Sequence, residues 1–225
     1  MLTQAIGDLL PLAVGVALSP LPIIAVILML GTPKARSNGP AFAVGWVAGL
    51  VVVAVVVLLV AGGADDTDSA ASTGVDSFQV AVGVLFFVLA ARQWRSRPKK
   101  GEEPELPKWM STIDTFTPAK SLVLGATLSG VNPKNLALTA AAAASIAQAG
   151  LSGGDSAAAV AVFVVLGSLT VVGPVLFYVF ASAKAAGPLA SIKDFMSEHN
   201  AVIMMVVLLV VGAKILGQGL GGGAT

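Results

Sequence analysis

The sequence contains no cysteine, one histidine and one tyrosine in 225 residues. The absence of cysteine excludes disulfide bonds, thiolate nucleophiles and thiolate metal sites. No apolar segment holds histidine, aspartate and glutamate at metal-ligand spacing, so we expect no metal and no other cofactor. Paired carboxylates or histidine clusters that could run acid–base chemistry in the membrane are also absent. We therefore expect that the protein is not an enzyme.

Charge is scarce as well. Charged residues make up 11% of the chain, whereas a soluble domain has roughly 25%. Hydrophobic residues account for 56%, and the mean hydropathy is +0.90. The net charge of +1 gives no indication of nucleic-acid binding, and we expect none. This composition predicts a membrane protein with several spanning helices.

Six apolar segments can be drawn, given that a spanning α-helix needs about 20 residues. They lie near residues 4–31, 40–62, 77–94, 120–149, 156–183 and 199–217. The first and fourth exceed the length of one straight crossing and contain prolines, so we expect them to be broken or kinked. The predicted fold is therefore an all-α membrane protein with six transmembrane helices, of which helices 1 and 4 are broken at prolines.

Basic residues are distributed unevenly between the connections. Eleven of the thirteen lysines and arginines fall at or within the first, third and fifth loops. Acidic residues mark the second loop, which carries Asp65, Asp66, Asp68 and Asp76. By the positive-inside rule, the odd-numbered loops are cytoplasmic and both termini are outside. The expected location is the cytoplasmic (inner) membrane, as a multi-pass protein.

A short motif occurs near the start of each half of the chain. Residues 15–19 (GVALS) are matched 110 positions later by residues 125–129 (GATLS), and each copy is followed by a proline break. Three helices per half would insert the second half upside down relative to the first. We therefore predict two inverted three-helix repeats, a plan typical of secondary transporters.

The predicted organisation has four parts. They are a first repeat over residues 1–94, a cytoplasmic linker over 95–119, a second repeat over 120–217 and a disordered tail over 218–225. In the linker, Trp109, Ile113 and Phe116 at helical spacing favour a short interfacial helix. The alternative is that Trp109 fills a contact beneath the helices. Gly45 and Gly49 form a small-residue face for internal packing or for a dimer seam.

Polar residues that interrupt the first and fourth segments are the candidate functional residues. Backbone groups freed by a helix break are tolerated at membrane depth only where they are buried in protein or line a cavity. Between residues 121 and 154 the only charged side chain is Lys134, and a charge in a spanning segment indicates function. The residues expected to bind substrate or to gate its passage are Ser19, Pro20, Pro22, Ser129, Asn132, Pro133, Lys134 and Asn135.

These residues favour recognition of an anion. Ser19 and Asn132 are suitable N-caps for the second part of each broken helix, with proline following. Two positive helix ends and the Lys134 ammonium facing one cavity would suit a carboxylate or a phosphate. In the empty state Lys134 would pair with a carboxylate or a carbonyl. The alternative is that the prolines only kink the helices and that Lys134 extends towards the membrane surface. Asp8 is the only candidate proton carrier, and a weak one.

Two stretches of the chain resemble a known family. They are residues 17–24 (ALSPLPII) and residues 107–136, which begin with PKW and end with LSGVNPKNL. Both are similar to the actinobacterial peptidoglycolipid-addressing (GAP) proteins, which include the sulfolipid-addressing proteins and are placed within the lysine-exporter superfamily. The resemblance covers essentially the whole chain in order and spacing.

The resemblance implies a protein that moves cell-envelope glycolipids outward or assists a larger exporter, and it implies inverted repeats. We therefore expect export of a cell-envelope (glyco)lipid or its precursor by alternating access. One alternative is a small-solute exporter for amino acids or ions. Another is a non-transporting adaptor for a larger envelope-lipid export or synthesis machine. The expected partners are a membrane lipid as substrate, a larger lipid exporter or synthase, and a second copy of the chain.

Overall fold

A computed structural model shows a chain built from α-helices. It describes residues 1–62, 69–97 and 107–221, and no β-strand occurs within these ranges. The helices are α1 (Leu2–Ala17), α2 (Pro20–Leu30), α3 (Ala35–Gly62), α4 (Ser69–Arg95), α5 (Pro118–Gly130), α6 (Pro133–Gln148), α7 (Gly153–Glu198) and α8 (Asn200–Gly221). A 3-10 helix, Lys108–Thr115, precedes α5. The all-α prediction is confirmed.

Some predicted features fall outside the described residues. Asp65, Asp66 and Asp68 of the second loop lie there, as do residues 98–106 of the linker and residues 222–225 of the tail. Asp76 lies within α4 rather than in a loop.

Four stretches of the described chain are long and apolar enough to cross a membrane. They are Ala35–Ala61, Gly153–Ser182, Asn200–Gly221 and the bent pair of α1 and α2, whose axes differ by 53°. The protein is therefore a multi-pass membrane protein. Helix α4 and the α5–α6 pair, at the third and fourth predicted segments, are not among these four.

Both expected helix breaks are present. Helix α1 ends at Ala17 and α2 begins at Pro20, while α5 ends at Gly130 and α6 begins at Pro133. Proline is favoured at the first helical position because its missing N–H would have no intrahelical partner there. The prolines thus determine where the second part of each broken helix begins.

Glycines allow α3 and α5 to approach closely. A Cβ atom added at Gly45 would collide with the backbone of Leu122, and one added at Gly125 would collide with the backbone of Phe42. Gly49 also faces α5, and a Cβ atom there would be too close to its backbone. Small residues permit such close helix packing in membrane proteins. The small-residue face of Gly45 and Gly49 is therefore used internally, against α5.

The fifth connection is helical, although we expected the fifth segment to end near residue 183. Helix α7 bends at Ala181, where φ is −141° and ψ is 42°, and then continues to Glu198. Beyond the bend, Ala185 and Leu189 are buried. Because residues four apart lie on one face of a helix, this face packs on the core and holds the segment in a helix.

The segment around Trp109 forms the 3-10 helix and packs against α2. Met110 and Ile113 are buried, at the three-residue spacing that brings side chains onto one face of a 3-10 helix. Trp109 is half-buried against the core. At the end of this helix, Asn38 Nδ2 donates a hydrogen bond of 3.0 Å to the carbonyl of Phe116. The short helix therefore contacts the protein interior.

Candidate functional site

The two helix breaks meet inside the protein. Lys134, in the first turn of α6, extends its side chain to the end of α1. There its Nζ lies 2.8 Å from the carbonyl oxygen of Gly15 and 2.6 Å from the Ser19 hydroxyl. Lys134 is 6% exposed and Ser19 is 3% exposed. A buried cation thus joins the first half of the chain to the second.

Asn135 provides a second connection between the breaks. Its Oδ1 lies 3.0 Å from the Ser19 hydroxyl, and its Nδ2 donates to the carbonyl of Leu128 at 2.9 Å. The side-chain amide therefore holds the end of α5 and the start of α2 together. Asn135 is fully buried; its Nδ2 has the Leu128 carbonyl as partner, and its Oδ1 shares the single Ser19 hydroxyl hydrogen with the Val16 carbonyl.

The last four carbonyl groups of α1 all have partners. In an α-helix these groups lack intrahelical donors unless the following residues supply them. The bonds run from the Leu18 amide to Val14 (2.8 Å), from the Lys134 ammonium to Gly15 (2.8 Å), from the Ser19 hydroxyl to Val16 (2.6 Å) and from the Thr170 hydroxyl to Ala17 (2.6 Å). Protein groups thus replace water at this helix end, which is what a break at membrane depth requires.

The proline motif leaves few amide donors at the start of α2. Pro20 and Pro22 have no N–H, so Leu21 carries the only one among the first three residues of the helix. Ser19 occupies the N-cap position, as the sequence predicted, but its hydroxyl makes no capping hydrogen bond. It is engaged by Lys134 instead. This helix end therefore offers little to an anion.

The start of α6 is capped more completely. Pro133 has no N–H, and the Asn132 side chain accepts a hydrogen bond of 3.1 Å from the Lys134 amide. We expected two positive helix ends and a lysine to face an anion. Because both ends are short of donors, the Lys134 ammonium is the main positive group among them.

The charge of Lys134 is placed favourably by its long side chain. The backbone of Lys134 belongs to the positive end of α6, which is an unfavourable place for a cation, whereas its ammonium lies at the negative end of α1. Its two hydrogen-bond partners, a carbonyl and a hydroxyl, are uncharged. The ammonium can therefore gain energy by exchanging them for an anion.

Ser129 differs from Ser19 in position, although the two motifs match in sequence. Ser129 lies in the last turn of α5, where its hydroxyl donates to the carbonyl of Ala126 at 3.2 Å. It is fully buried and faces Gly49 of α3. The structural counterpart of Ser19 is Asn132, because each is the N-cap of the helix after a break.

Thr170 is the site residue that the sequence did not single out. It lies in α7, outside both motifs, and supplies the last donor at the end of α1. The one signal in the sequence is that Ser168 and Thr170 are polar residues inside an otherwise apolar segment. Such hydroxyl groups often serve contacts between membrane helices.

Asp8, the candidate proton carrier, lies away from the breaks. Its Oδ1 forms an ion pair of 3.1 Å with Nζ of Lys214 on α8, and the Asp8 side chain is half exposed. This pair joins α1 to α8 near the ends that the charge pattern places outside.

Proline-broken helices that meet through buried polar side chains define a multi-pass membrane protein with a polar centre. A profile of the family described as Sap, sulfolipid-1-addressing protein, matches residues 9–221, and the chain belongs to this family. The family resemblance drawn from the two motifs is thereby confirmed. No curated protein and no solved structure is significantly similar to the chain.

Proposed function

We propose that this protein exports a cell-envelope lipid, or a glycolipid precursor, across the cytoplasmic membrane by alternating access around the two breaks. The observation that carries the proposal is the contact between Lys134 and Gly15, because it joins the two halves where both helices are broken. Discontinuous helices that meet near the membrane centre form the substrate sites of many secondary transporters. The family description names a sulfolipid, and the sulfo group of such a lipid is an anion.

Six spans in two inverted repeats fit the way in which the helices pair. Take α1 to α4 as one half and α5 to α8 as the other. In this division α3 corresponds to α7, and the α5–α6 pair corresponds to the α1–α2 pair. The contact of α3 with the α5–α6 pair therefore has its counterpart in the contact of α7 with the α1–α2 pair. The contact of α4 with α8 maps onto itself. Repeats related by a two-fold axis are expected to show this correspondence. With six spans, the positive-inside rule orients both termini outward.

Partner exchange at Lys134 gives the proposed transport step. In the observed arrangement the ammonium is bound to the end of α1, which closes the centre. An anionic headgroup that enters displaces the Gly15 carbonyl and the Ser19 hydroxyl from Lys134. An anion adds a Coulomb attraction to the ammonium that the uncharged carbonyl and hydroxyl do not provide, and this attraction favours the exchange. It also releases α1 from α6 and lets the two halves move relative to each other.

Lateral grooves support a lipid substrate over a small solute, because acyl chains must remain in the bilayer while the headgroup crosses. One apolar groove of about 430 Å³ runs along α5, with Phe116 and Lys120 at its start. Another, of about 570 Å³, lies between α3 and α7 and is lined by residues such as Val55 and Val160. By the charge pattern, the first lies towards the cytoplasm and the second towards the outside.

Lipid profiling tests the proposed function. Cells lacking the gene, and cells with it restored, are compared for lipids extracted from the surface and from the whole cell. We expect at least one polar lipid to be depleted at the surface, to accumulate inside, and to return to the surface on restoration. Unchanged surface lipids, together with altered tolerance of amino acids or ions, would instead support the small-solute exporter.

A further inference from the structure

We infer that a polar recess at the outer end of α1, α6 and α8 binds the uncharged, hydroxyl-rich part of a lipid headgroup, such as a sugar. This inference rests on the proposed export function and on its orientation. It adds a binding site separate from the Lys134 contact, and it names the chemistry that the site accepts.

Polar side chains from three distant parts of the sequence converge in this recess. It has a volume of about 340 Å³, and the polar side chains in its lining are those of Gln4, Asp8, Ser145, Gln148 and Gln218, with Met1, Ala5 and Ala149 completing it. Three of the five glutamines in the chain are thus brought to one place, one from each helix. Folding assembles this lining, because no local segment of the sequence contains it.

The lining matches hydroxyl groups better than anions. A glutamine amide both donates and accepts hydrogen bonds, and so does a sugar hydroxyl, whereas a sulfate or phosphate oxygen mainly accepts. The one carboxylate in the lining, Asp8, would repel an anion. Lys214 is not a lining residue, and its ammonium is held by Asp8 at 3.1 Å. An uncharged ligand with several hydroxyl groups therefore fits best.

The recess shares two helices with the contact at the breaks. On α1, Asp8 and Gly15 are seven residues apart, which is about 10 Å along the axis. On α6, Lys134 is the second residue of the helix and Gln148 is the last. A headgroup released from Lys134 towards the outside would meet the recess next. The anionic and the uncharged parts of one headgroup can thus be recognised at successive positions.

Cysteine labelling tests the recess directly, because the natural chain has no cysteine. The half-buried lining residue Ala149 is changed in an Ala149→Cys variant, and intact cells are treated with a membrane-impermeant maleimide. Glucose, galactose, mannose and sucrose are tested separately as protecting ligands, with sodium sulfate as the anionic comparison. The control is Gly154→Cys, an exposed position in the first turn of α7, where a Cβ atom would meet only the Ser152 hydroxyl, at 4.0 Å.

We expect labelling of the Ala149→Cys variant from outside, slowed by at least one of the sugars but not by sulfate. Labelling of the Gly154→Cys variant should be unaffected by sugar. Adding Gln148→Leu to the Ala149→Cys variant should weaken the protection about three- to tenfold, as expected for one lost hydrogen bond. Adding Gln93→Leu, on α4, should not. Protection by sulfate alone, or by none of the sugars, overturns the inference, and so does labelling only in opened cells.

The inference about the recess and the proposal about export can be tested separately. If Lys134→Met stops lipid export while Gln148→Leu and Gln218→Leu have no effect on sugar protection, the recess inference is wrong and the export proposal stands. If sugar protects the Ala149→Cys variant while the Lys134→Met variant exports normally, the recess exists but the proposed transport site is wrong.

Discussion

The ammonium of Lys134 lies 2.8 Å from the carbonyl oxygen of Gly15, although 119 positions separate the two residues in the chain. The only charge between residues 121 and 154 is thus used to complete a helix end in the other half of the protein. Under the proposed function, stability and transport depend on the same side chain. Substitutions at neighbouring positions can separate these two roles.

Changing Thr170 to valine should destabilise the protein without altering the partners of Lys134. Valine resembles threonine in shape but cannot donate to the buried carbonyl of Ala17. An unpaired buried carbonyl costs about 1–3 kcal/mol of unfolding free energy. Denaturant titration of the purified protein measures the change. Thr170→Ser keeps the hydroxyl and should lose less than Thr170→Val, and the reverse order would contradict the role of the hydrogen bond.

An Asn135→Asp variant should be less stable, because it loses the donor to the Leu128 carbonyl, and the protein that reaches the membrane should lose most of its export activity. Asn135 Oδ1 and Lys134 Nζ both lie within hydrogen-bond distance of the Ser19 hydroxyl, at 3.0 Å and 2.6 Å. A carboxylate at position 135 would therefore pair with the ammonium and compete with an anionic headgroup. We expect surface lipid to fall at least about tenfold, which corresponds to about 1.4 kcal/mol.

Gln93→Glu is the control for the Asn135→Asp variant. It adds the same negative charge on α4, away from the breaks. Export is compared at equal amounts of both variants in the membrane, and Gln93→Glu should export lipid as the natural protein does. Normal export by the Asn135→Asp variant would contradict the prediction, because export would then continue with a carboxylate paired to Lys134.

A Gly45→Ala variant should be less stable, because its Cβ atom would collide with the backbone of Leu122 on α5. Overpacking of this kind typically costs about 1–3 kcal/mol. Gly7→Ala is the matched control, since a Cβ atom there meets open space within α1. It should gain about 0.5–1 kcal/mol from reduced chain entropy. Unfolding measurements that show the same effect for both variants would contradict the close contact of α3 with α5.

Local sequence signals predicted both breaks and most of the helical segments, although α7 continues well past the expected end near residue 183. Apolar length marked the segments, and proline at Pro20 and Pro133 marked the helix starts because it has no N–H to pair. The Ser19–Ser129 match was less informative about structure. The second break follows its serine three residues later than the first does, so Asn132 takes the capping position instead.

The sequence predicted a carboxylate or a carbonyl as the partner of Lys134 in the empty state, but it could not show that the partner is the carbonyl of Gly15. The partner of Lys134 depends on how closely α6 approaches α1, and that distance is determined by packing between the two halves. The donor role of Thr170 and the convergence of Gln4, Gln148 and Gln218 have the same origin. Each joins helices that are far apart in the chain, where no periodicity or motif spacing carries information.

The central claim is that the two helix breaks form the transport site. Surface lipid export by a Lys134→Met variant tests this claim most directly. Methionine keeps an unbranched side chain of similar length but has neither a charge nor an N–H donor. The Gly15 carbonyl then loses its partner, which costs about 1–3 kcal/mol, while the desolvation of a buried cation is no longer required. We therefore expect a folded protein in the membrane.

At equal amounts of the Lys134→Met variant and the natural protein, we predict that lipid at the cell surface falls at least about tenfold. Surface lipid at the natural level would contradict a transport site at the two helix breaks. That result would favour the non-transporting adaptor.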